Sequence, residues 1–167
     1  MTDRPAADSP SAAHQLPGAE VIENENETEA VETEAETIRL TADVVATTPD
    51  GYVLLIQRGD PPYKGEWALP GGWVDRGEKS DAAGARELAE ESGVFVDPGD
   101  LVQIGAFDRP DRDPRGRFVT VAYRVGVPAG TRTAAGDDAD DARWWPVGEL
   151  PPLAFDHADI ISAALKA

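Results

Sequence analysis

A stretch that places several carboxylates on one short helix constrains this chain more than any other feature. It reads "LPGGWVDRGEKSDAAGARELAEESGV" and runs from Leu69 to Val94 between two glycine-rich turns. Its four glutamates lie around Arg86, and the group comprises Glu78, Arg86, Glu87, Glu90 and Glu91. Like charges three and four residues apart repel each other on an isolated helix. Something must offset this repulsion in the folded protein.

The middle of the stretch is predicted to form a helix of about three turns. Ser80 is the expected N-cap, and Gly93 supplies the C-terminal stop. Apolar side chains recur at helical spacing between them, namely Ala82, Ala85, Leu88 and Ala89. At about 100° per residue, Glu91 lies about 40° from Glu87 on one side, and Glu90 lies about 60° from it on the other. The three carboxylates are therefore expected to converge.

A divalent cation is the simplest way to offset the repulsion. Magnesium prefers oxygen ligands and is held in proteins by a few carboxylates together with waters and substrate phosphates. Arg86 stands next to Glu87 and one helical turn before Glu90, where it can hold a carboxylate in place. Glu78 precedes the helix and can reach its first turn and the outer shell of the cation. Taken alone, such a pattern is more often a solvated acidic helix face with incidental arginine pairing.

The rest of the sequence divides into an acidic segment and one domain. Residues 1–37 contain many Asp and Glu, one arginine (Arg4) and almost no large apolar residues, so we expect an acidic disordered tail. The domain is expected to span residues 38–167, because a chain of 167 residues is long enough for one ordinary core and too short for two. A solvated tail with no dedicated partner is the favoured interpretation of the acidic segment.

Charge and composition argue against several function classes. The chain has 32 acidic and 15 basic residues, and its formal net charge of -17 disfavours a nucleic-acid-binding surface. It contains no cysteine, which removes disulfides, thiolate zinc sites and cysteine nucleophiles from consideration. No apolar run approaches the length of a membrane span, and the N-terminus lacks a signal pattern. We expect a soluble cytoplasmic protein that contacts neither membrane nor nucleic acid.

Apolar runs predict a mixed β-sheet with helices on its faces. The runs "IRLTADVVATT" and "GYVLLIQR" are typical of two strands joined by a hairpin turn at "PDG". Further strands are predicted at "LVQIGAF", "RFVTVAYRVGV" and "ARWWPV", and a final amphipathic helix at "FDHADIISAALKA". The segment "DPPYKGEWALPGG" is typical of a loop because it is rich in proline and glycine. The order of elements indicates an α/β fold.

With its flanking residues, the helical stretch resembles the Nudix box at every defined position. The matching residues are Gly72, Glu78, Arg86, Glu87, Leu88, Glu90, Glu91, Gly93 and Val94. The predicted strands and helix around the box follow the order of the Nudix domain, so the resemblance extends over about residues 38–167. It implies a Nudix-type α/β/α sandwich with a mixed β-sheet and a catalytic loop-helix-loop. It also implies an enzyme that cleaves a nucleoside diphosphate linked to another group.

The resemblance assigns expected roles to individual residues. Glu87, Glu90 and Glu91 look like ligands of Mg²⁺, with Mn²⁺ as an alternative ion, and the carbonyl of Gly71 looks like a further ligand. Arg86 looks like the residue that orients Glu87, and Glu78 looks like an outer-shell or structural partner.

The identity of the general base stays open at this point. In some Nudix enzymes the base is the box glutamate that matches Glu87, and in others it is an acid on a later loop. Here the segment "TAAGDDADDARWW" supplies the candidates Asp137, Asp138, Asp140 and Asp141. Asp138 is favoured among them, and an acidic solvated loop without a catalytic role is an equal alternative.

Segments outside the box resemble the ADP-ribose pyrophosphatase branch of the family. These are "RGDPPYKGEWALPGGWV", Pro110 with the following "DRDPRGRFVTVAY", and "PPLAFDHADII". They make ADP-ribose the expected substrate and AMP and ribose 5-phosphate the expected products.

Several side chains outside the box are candidates for binding this substrate. Guanidinium groups match phosphate bidentately, so the arginines Arg58, Arg109, Arg115 and Arg117 are candidates, with surface pairing to aspartates as the alternative. Trp67, Trp73 or Tyr63 can stack on adenine, although packing is the more common role for such residues. His157, beside Asp156, is a weaker candidate for a base.

Two other functions stay open. The chain can be a house-cleaning hydrolase that acts on 8-oxo-dGTP or another nucleoside triphosphate. It can also be a nucleotide-sensing regulator, because some Nudix domains with a similar "KGEWALPGG" region are fused to a DNA-binding module. We expect no such module here, since the sequence leaves no room for a winged helix before Ala167 and its charge is unfavourable. A homodimer is compatible with the resemblance.

Overall fold

A computed structural model describes residues 35–136 and 139–167 of the chain. The expected acidic tail lies outside these residues, apart from its last three. The described part contains seven strands and two α-helices. The strands are β1 (Arg39–Thr47), β2 (Tyr52–Arg58), β3 (Trp67–Ala68), β4 (Gly71–Trp73), β5 (Val102–Phe107), β6 (Phe118–Gly126) and β7 (Ala139–Pro146). The helices are α1 (Ser80–Ser92) and α2 (His157–Ala164), and a short 3-10 helix spans Pro98–Asp100.

The strands form one mixed sheet, as the sequence predicts. Its main order is β3-β2-β1-β6-β5, while β4 pairs with β1 and β7 pairs with β2. The pairing of β1 with β6 is parallel, and the other named pairs are antiparallel. Strand β1 lies in the middle of the sheet and alternates its side chains between two cores.

The two helices cover opposite faces of the sheet. One core contains Ala42, Val44 and Ala46 of β1 together with Ala83 and Leu88 of α1. The other contains Val45 of β1, Val53 and Leu55 of β2, and Ile160 and Ile161 of α2. Since consecutive strand residues point to opposite faces, the period-two pattern of β1 and β2 requires apolar cover on both sides. The expected α/β/α sandwich is confirmed.

The hairpin between β1 and β2 is confirmed but short. The amide of Thr48 donates to the carbonyl of Tyr52, and Gly51 occupies a positive φ of 87° at the turn. Only Thr47 and Val53 pair directly between the two strands. The long partner of β2 is β7, and β1 pairs with β4 and β6. Long-range pairing therefore decides the sheet order here.

Three local expectations are wrong. Lys79, not Ser80, is the N-cap of α1, because the Ser80 hydroxyl is hydrogen-bonded to that of Tyr123 at 2.7 Å. The predicted loop before the Nudix box contains β3 and β4, which the sheet recruits despite their proline and glycine neighbours. Asp140 and Asp141 lie in β7 and not in a loop.

The end of α1 is fixed as expected by Gly93, which adopts a left-handed φ of 68°. Residues that follow β6 cover the last carbonyls of the helix. The amide of Ala134 donates to the carbonyl of Ser92 at 2.9 Å, and that of Gly136 donates to the carbonyl of Glu91 at 3.1 Å. These bonds satisfy acceptors that a helix end otherwise leaves free, so the C-terminal end of α1 is held in place.

Candidate active site

A cleft of about 220 Å³ opens where β1 and β4 meet the two helices. Glu87 and Glu91 of α1 line it from one side, and His157 of α2 lines it from another. The loop between β5 and β6 contributes Arg112 and Arg115. The cleft therefore combines carboxylates from the Nudix-like stretch with guanidinium groups from distant parts of the chain.

Two glycines of β4 let α1 approach the strand. Gly71 pairs with Asp43 of β1, and its amide donates to Oε2 of Glu91 at 2.9 Å. A Cβ atom built on Gly72 would lie only 2.4 Å from the carboxyl carbon of Glu87. Glycine at position 72 thus lets the carboxylate keep this place, because the carboxylate occupies the space that a side chain would need.

Arg86 connects the turn before α1 with the carboxylates on the helix. Its Nε and Nη2 atoms donate to the two oxygens of Glu78, each at 3.0 Å. Its Nη1 atom donates to Glu87 at 2.8 Å and to Glu90 at 3.0 Å, and Nη2 also donates to the carbonyl of Trp73. The hydrogen bond to Glu78 and the other carboxylates raise the pKa of Arg86. The arginine therefore stays charged and holds Glu87 in one orientation.

The glutamates of α1 differ in environment. The side chain of Glu90 is 59% exposed and bonded to Arg86, and it is not among the cleft-lining residues. Burial raises the pKa of Glu87. Burial, with Glu87 and Asp43 nearby, raises the pKa of Glu91 to about 8, although the Gly71 amide and Arg58 oppose this rise. The structure thus brings Glu87 and Glu91 to the cleft and leaves Glu90 at its edge.

The donor atoms at this edge of the cleft suit a hard divalent cation. Glu87, Glu91 and the backbone of Gly71 offer only oxygen ligands, which Mg²⁺ and Mn²⁺ accept. Within residues 35–136 and 139–167, no three Asp, Glu, His or Cys side chains already stand close enough to hold a metal ion. A cation here would reverse the effect of burial and like charge on the carboxylates, because it favours their ionised form.

Two of the predicted substrate-binding arginines lie in the cleft. The guanidinium of Arg58 stacks over the ring of Phe155 with its Cζ atom 4.9 Å from the ring centroid. Arg115 lies between two rings, 5.6 Å from the centroid of Phe155 and 4.8 Å from that of Phe118. Asp113 accepts two bonds from the Arg115 guanidinium, at 3.0 and 2.7 Å. The rings and the aspartate therefore fix Arg115 before any ligand binds.

The other predicted substrate residues lie elsewhere. Arg109 is 62% exposed and makes long ion pairs with Asp111 and Asp159, because the loop turns it towards solvent. Arg117 donates to the carbonyl of Asp108 and is outside the cleft. Trp67 packs in the core edge-to-face with Trp145, with ring centroids 5.1 Å apart, since β3 turns it towards the core that α2 covers.

The remaining candidates divide between the cleft, its surroundings and undescribed positions. Trp73 lines the cleft and packs on Phe118, whereas Tyr63 packs on Phe155. Asp137 and Asp138, including the favoured general base, lie outside the described residues. Asp138 therefore stays a prediction.

Sequence reasoning singled out His157 beside Asp156 but missed the buried polar group on the cleft wall to which both belong. It comprises Asp43, Arg112, Asp156 and His157, each less than a tenth exposed. Arg112 donates to both oxygens of Asp156, at 3.0 and 2.7 Å, and lies 3.8 Å from Asp43. The segments "DRDPRGR" and "AFDH" contain three of these residues, but a sequence pattern does not show which charged side chains become buried and paired.

His157 is held in one protonation state by its neighbours. Its Nδ1 atom accepts a hydrogen bond from the amide of Leu69 at 2.8 Å, so this nitrogen carries no proton. Burial lowers the pKa of His157; nearby Arg112 and Arg58 lower it further, while Asp43 and Asp156 oppose the shift. The folded protein therefore binds a proton at this ring less readily than the unfolded chain does.

This difference predicts a pH-dependent contribution to stability. An unfolded histidine has a pKa of about 6.5, so His157 stabilises the fold fully above that pH and loses its contribution as the pH falls below it. We expect the free energy of unfolding of the wild type to fall more between pH 7.5 and pH 5.5 than that of His157→Asn. Urea unfolding at both pH values measures this difference. Equal losses in the two proteins would contradict it.

Comparisons with known proteins agree with this geometry. The family model described as NUDIX domain matches residues 37–164. The chain belongs to the Nudix family. Nudix proteins with solved structures share its fold, and the expected enzyme class, a Nudix pyrophosphohydrolase, is confirmed. Within the described residues, no helix has the length and apolar character that a membrane crossing requires.

Individual relatives of this Nudix chain have different functions. An ADP-ribose pyrophosphatase of Methanocaldococcus jannaschii is 43% identical over 117 residues, which cover 70% of this chain and 68% of that protein. The ADPR responsive transcriptional repressor NtrR of Acinetobacter baylyi is 34% identical, over 67% of this chain and 46% of that protein. An 8-oxo-dGDP phosphatase of Danio rerio is 32% identical, over 68% of this chain and 34% of that protein.

A solved structure extends the comparison to a bound nucleotide. The NUDIX domain of Shewanella oneidensis NrtR, complexed with ADP ribose, superimposes with a TM-score of 0.73 at 32% identity. The match covers 79% of this chain and 89% of that domain. This chain thus shares its fold with a Nudix domain that binds ADP ribose.

Proposed function

We propose that this Nudix protein is a divalent-cation-dependent pyrophosphatase that hydrolyses ADP-ribose to AMP and ribose 5-phosphate. One observation carries the proposal, namely a cleft lined both by the carboxylates of Glu87 and Glu91 and by the guanidinium groups of Arg58 and Arg115. A diphosphate needs a cation on one side and hydrogen-bond donors on the other to balance its charge. The relatives associated with ADP-ribose support this choice of substrate.

The residues of the cleft divide the chemistry between them. Glu87, Glu91 and the Gly71 carbonyl would hold Mg²⁺ or Mn²⁺, with Glu90 as a further candidate. The ion would supply neutralisation of the diphosphate and a water of lowered pKa. Arg86 holds the carboxylate of Glu87 in place through a bond of 2.8 Å.

The arginines act on the phosphate oxygens. Two guanidinium nitrogens of Arg115 are bonded to Asp113, so both hydrogens of Nη1 and the second hydrogen of Nη2 are left for a ligand. Arg58 similarly uses Nε and Nη2 on the carbonyls of Pro62 and Asp60. Both side chains are therefore preorganised, and substrate binding does not have to order them. They fit the distal side of a sugar diphosphate, where a second phosphate ester must be held.

The reaction adds the oxygen of water to one phosphorus and breaks the bond between that phosphorus and the bridging oxygen. AMP and ribose 5-phosphate leave, and the proton of the water passes to a general base. Glu87 and Asp138 are the candidates for this base. A base must lie within hydrogen-bond reach of the water, directly or through one further water.

The choice of substrate has a direct test. We expect ADP-ribose to exceed 8-oxo-dGTP and 8-oxo-dGDP in kcat/KM, with AMP and ribose 5-phosphate as products and no free phosphate or pyrophosphate. Chromatography and a malachite-green assay, with Mg²⁺ and then Mn²⁺, measure both points. A tenfold preference for an 8-oxo nucleotide, with phosphate or pyrophosphate released, would show that the protein is a house-cleaning hydrolase.

A matched pair of arginine variants tests the cleft itself. Arg115→Lys loses the fork to Asp113 and the stacking on two rings, so we expect KM for ADP-ribose to rise about tenfold with kcat little changed. Arg109→Lys alters the same loop outside the cleft and is expected to keep the wild-type KM. Steady-state kinetics on both variants measure kcat and KM separately. Equal KM values in the two would remove Arg115 from the site.

A regulator function is the remaining alternative, because one relative is a transcriptional repressor. Such a protein would bind ADP-ribose without turning it over. The net charge of -17 disfavours contact with a phosphate backbone, so we expect no DNA binding. Calorimetric binding of ADP-ribose combined with a product assay separates sensing from hydrolysis.

A further inference from the structure

A chain of backbone and side-chain contacts joins α2 to the carboxylates of α1. The Nδ1 atom of His157 accepts from the amide of Leu69 at 2.8 Å, across 88 residues of sequence. The carbonyl of Pro70, the next residue, accepts from β1 at 2.9 Å. The amide of Gly71 then donates to Glu91 at 2.9 Å. Three consecutive residues are thus fixed between a histidine on one side of the cleft and a glutamate on the other.

The position of His157 is itself determined by a buried ion pair. Asp156 is the N-cap residue of α2, but its side chain makes no capping bond to the helix. Both of its oxygens accept from Arg112 instead, at 3.0 and 2.7 Å. Arg112 and Asp156 are 6% and 5% exposed, so the pair is shielded from water. A planar, two-bond pair allows one relative orientation, which fixes the first residue of α2.

The same contacts make His157 unsuitable as the general base. Accepting from Leu69 leaves Nδ1 unprotonated, so the neutral ring carries its proton on Nε2. Nε2 lies 3.9 Å from Oδ2 of Asp43, on the side away from Leu69. Proton uptake at Nδ1 would place a second hydrogen against the Leu69 amide and break the bond. The ring is therefore placed to hold backbone and not to exchange protons.

We propose that His157 is a positioning residue, which uses Nδ1 to fix the Leu69–Gly71 turn and thereby the amide that holds Glu91. The Arg112–Asp156 pair sets the ring in place, so the loop after β5 and the helix α2 both support the carboxylate edge of the cleft. This inference rests on the proposed function for the assay substrate and for the cation that Glu91 would hold, whereas the hydrogen bond between His157 and Leu69 is tested without either. Hydrogen-bonded residues behind metal ligands commonly affect metal affinity and activity in this way.

Two substitutions at one position separate the acceptor from the bulk of the ring. His157→Asn keeps an acceptor, because the Asn side-chain oxygen occupies about the place of Nδ1. His157→Leu keeps the apolar volume and leaves the Leu69 amide without a partner. We expect His157→Leu to lower kcat and the affinity for Mn²⁺ by about tenfold or more, with a smaller change in KM. His157→Asn is expected to recover most of both losses.

The two readouts keep the inference separate from the proposed function. Mn²⁺ affinity is measured by calorimetry or electron paramagnetic resonance without substrate, and kcat is measured with ADP-ribose at saturating metal. If ADP-ribose is not hydrolysed by the wild type, the proposed function fails while Mn²⁺ affinity still tests His157. Wild-type affinity and turnover in His157→Leu would overturn the inference. Equal impairment in both variants would overturn it as well, because the acceptor would then be irrelevant.

A measurement on the wild type covers the case in which His157→Leu does not fold. Nitrogen-15 NMR distinguishes a protonated from an unprotonated imidazole nitrogen. We expect the signal of an unprotonated Nδ1, a protonated Nε2, and slow hydrogen exchange at the Leu69 amide. A proton on Nδ1 at neutral pH would be incompatible with the bond to Leu69 and would refute the positioning role.

Discussion

Glu91→Gln is expected to lower kcat by at least about a hundredfold, because changes behind a metal ligand already cost 10–100-fold and this change removes a ligand charge. The substitution preserves side-chain shape, and an amide oxygen can still accept from Gly71. Burial raises the pKa of Glu91 to about 8, so the neutral amide is no harder to bury than the carboxylate. The melting temperature should therefore stay close to that of the wild type or rise.

Two further Glu→Gln variants serve as controls for this result. Glu90→Gln changes a side chain that is 59% exposed and outside the cleft, so we expect a smaller loss of kcat than at Glu91. Glu149→Gln changes an exposed residue outside the cleft and should leave kcat unchanged. Magnesium-dependent turnover of ADP-ribose and thermal unfolding are measured for all three. Near-normal turnover in Glu91→Gln would remove Glu91 from the metal site.

The helix that carries these glutamates could be predicted from sequence because its determinants are local. Apolar spacing and a glycine stop are sufficient to give α1, which ends at Ser92 with Gly93 in a left-handed conformation. The contact of Arg86 with Glu87 and Glu90 also follows from helical spacing. Helical spacing gave the arc of the three glutamates but not their burial, which depends on what packs against α1.

Long-range partners explain most of what the sequence did not reveal. Ser80 looks like an N-cap, yet its hydroxyl bonds to Tyr123, which lies in β6. Gly71 and Gly72 look like part of a loop, yet they form β4 because β1 offers them an unpaired edge. In each case a residue distant in sequence competes with the local preference and wins.

The arginines show the same limit at the cleft. Arg58, Arg109 and Arg115 are equivalent by residue type, and sequence alone ranks none of them above the others. The structure distinguishes them because Arg58 and Arg115 stack on the ring of Phe155, whereas Arg109 points to solvent. Phe155 itself adopts a left-handed φ of 54°, which is an unusual conformation for a bulky residue. No pattern in the sequence predicts this conformation.

Gly72→Ala is expected to reduce kcat by at least about tenfold, through displacement of a neighbouring carboxylate from its place in the cleft. The new Cβ atom would lie 2.4 Å from the carboxyl carbon of Glu87 and 2.5 Å from one of its oxygens. The end of a flexible side chain moves more easily than backbone, so Glu87 is expected to rotate away and weaken its bond to Arg86. The fold should survive, since the three atoms nearest to the methyl group all belong to the end of the Glu87 side chain.

Gly126→Ala is the matched control, because a Cβ atom on this β6 glycine would meet nothing within 4 Å. Gly71→Ala is expected to act on stability instead of activity. Its Cβ atom would lie 2.4 Å from the backbone carbonyl of Ala42 and should destabilise the sheet itself. Thermal unfolding and kcat for ADP-ribose are measured on the three variants. We expect Gly71→Ala to lose the most stability. Gly72→Ala is expected to lose activity without a comparable loss of stability. Gly126→Ala is expected to change neither stability nor activity. Wild-type kcat in Gly72→Ala would mean that the carboxylate of Glu87 does not need its present position, which would weaken the case for Glu87 as a metal ligand and as a candidate base.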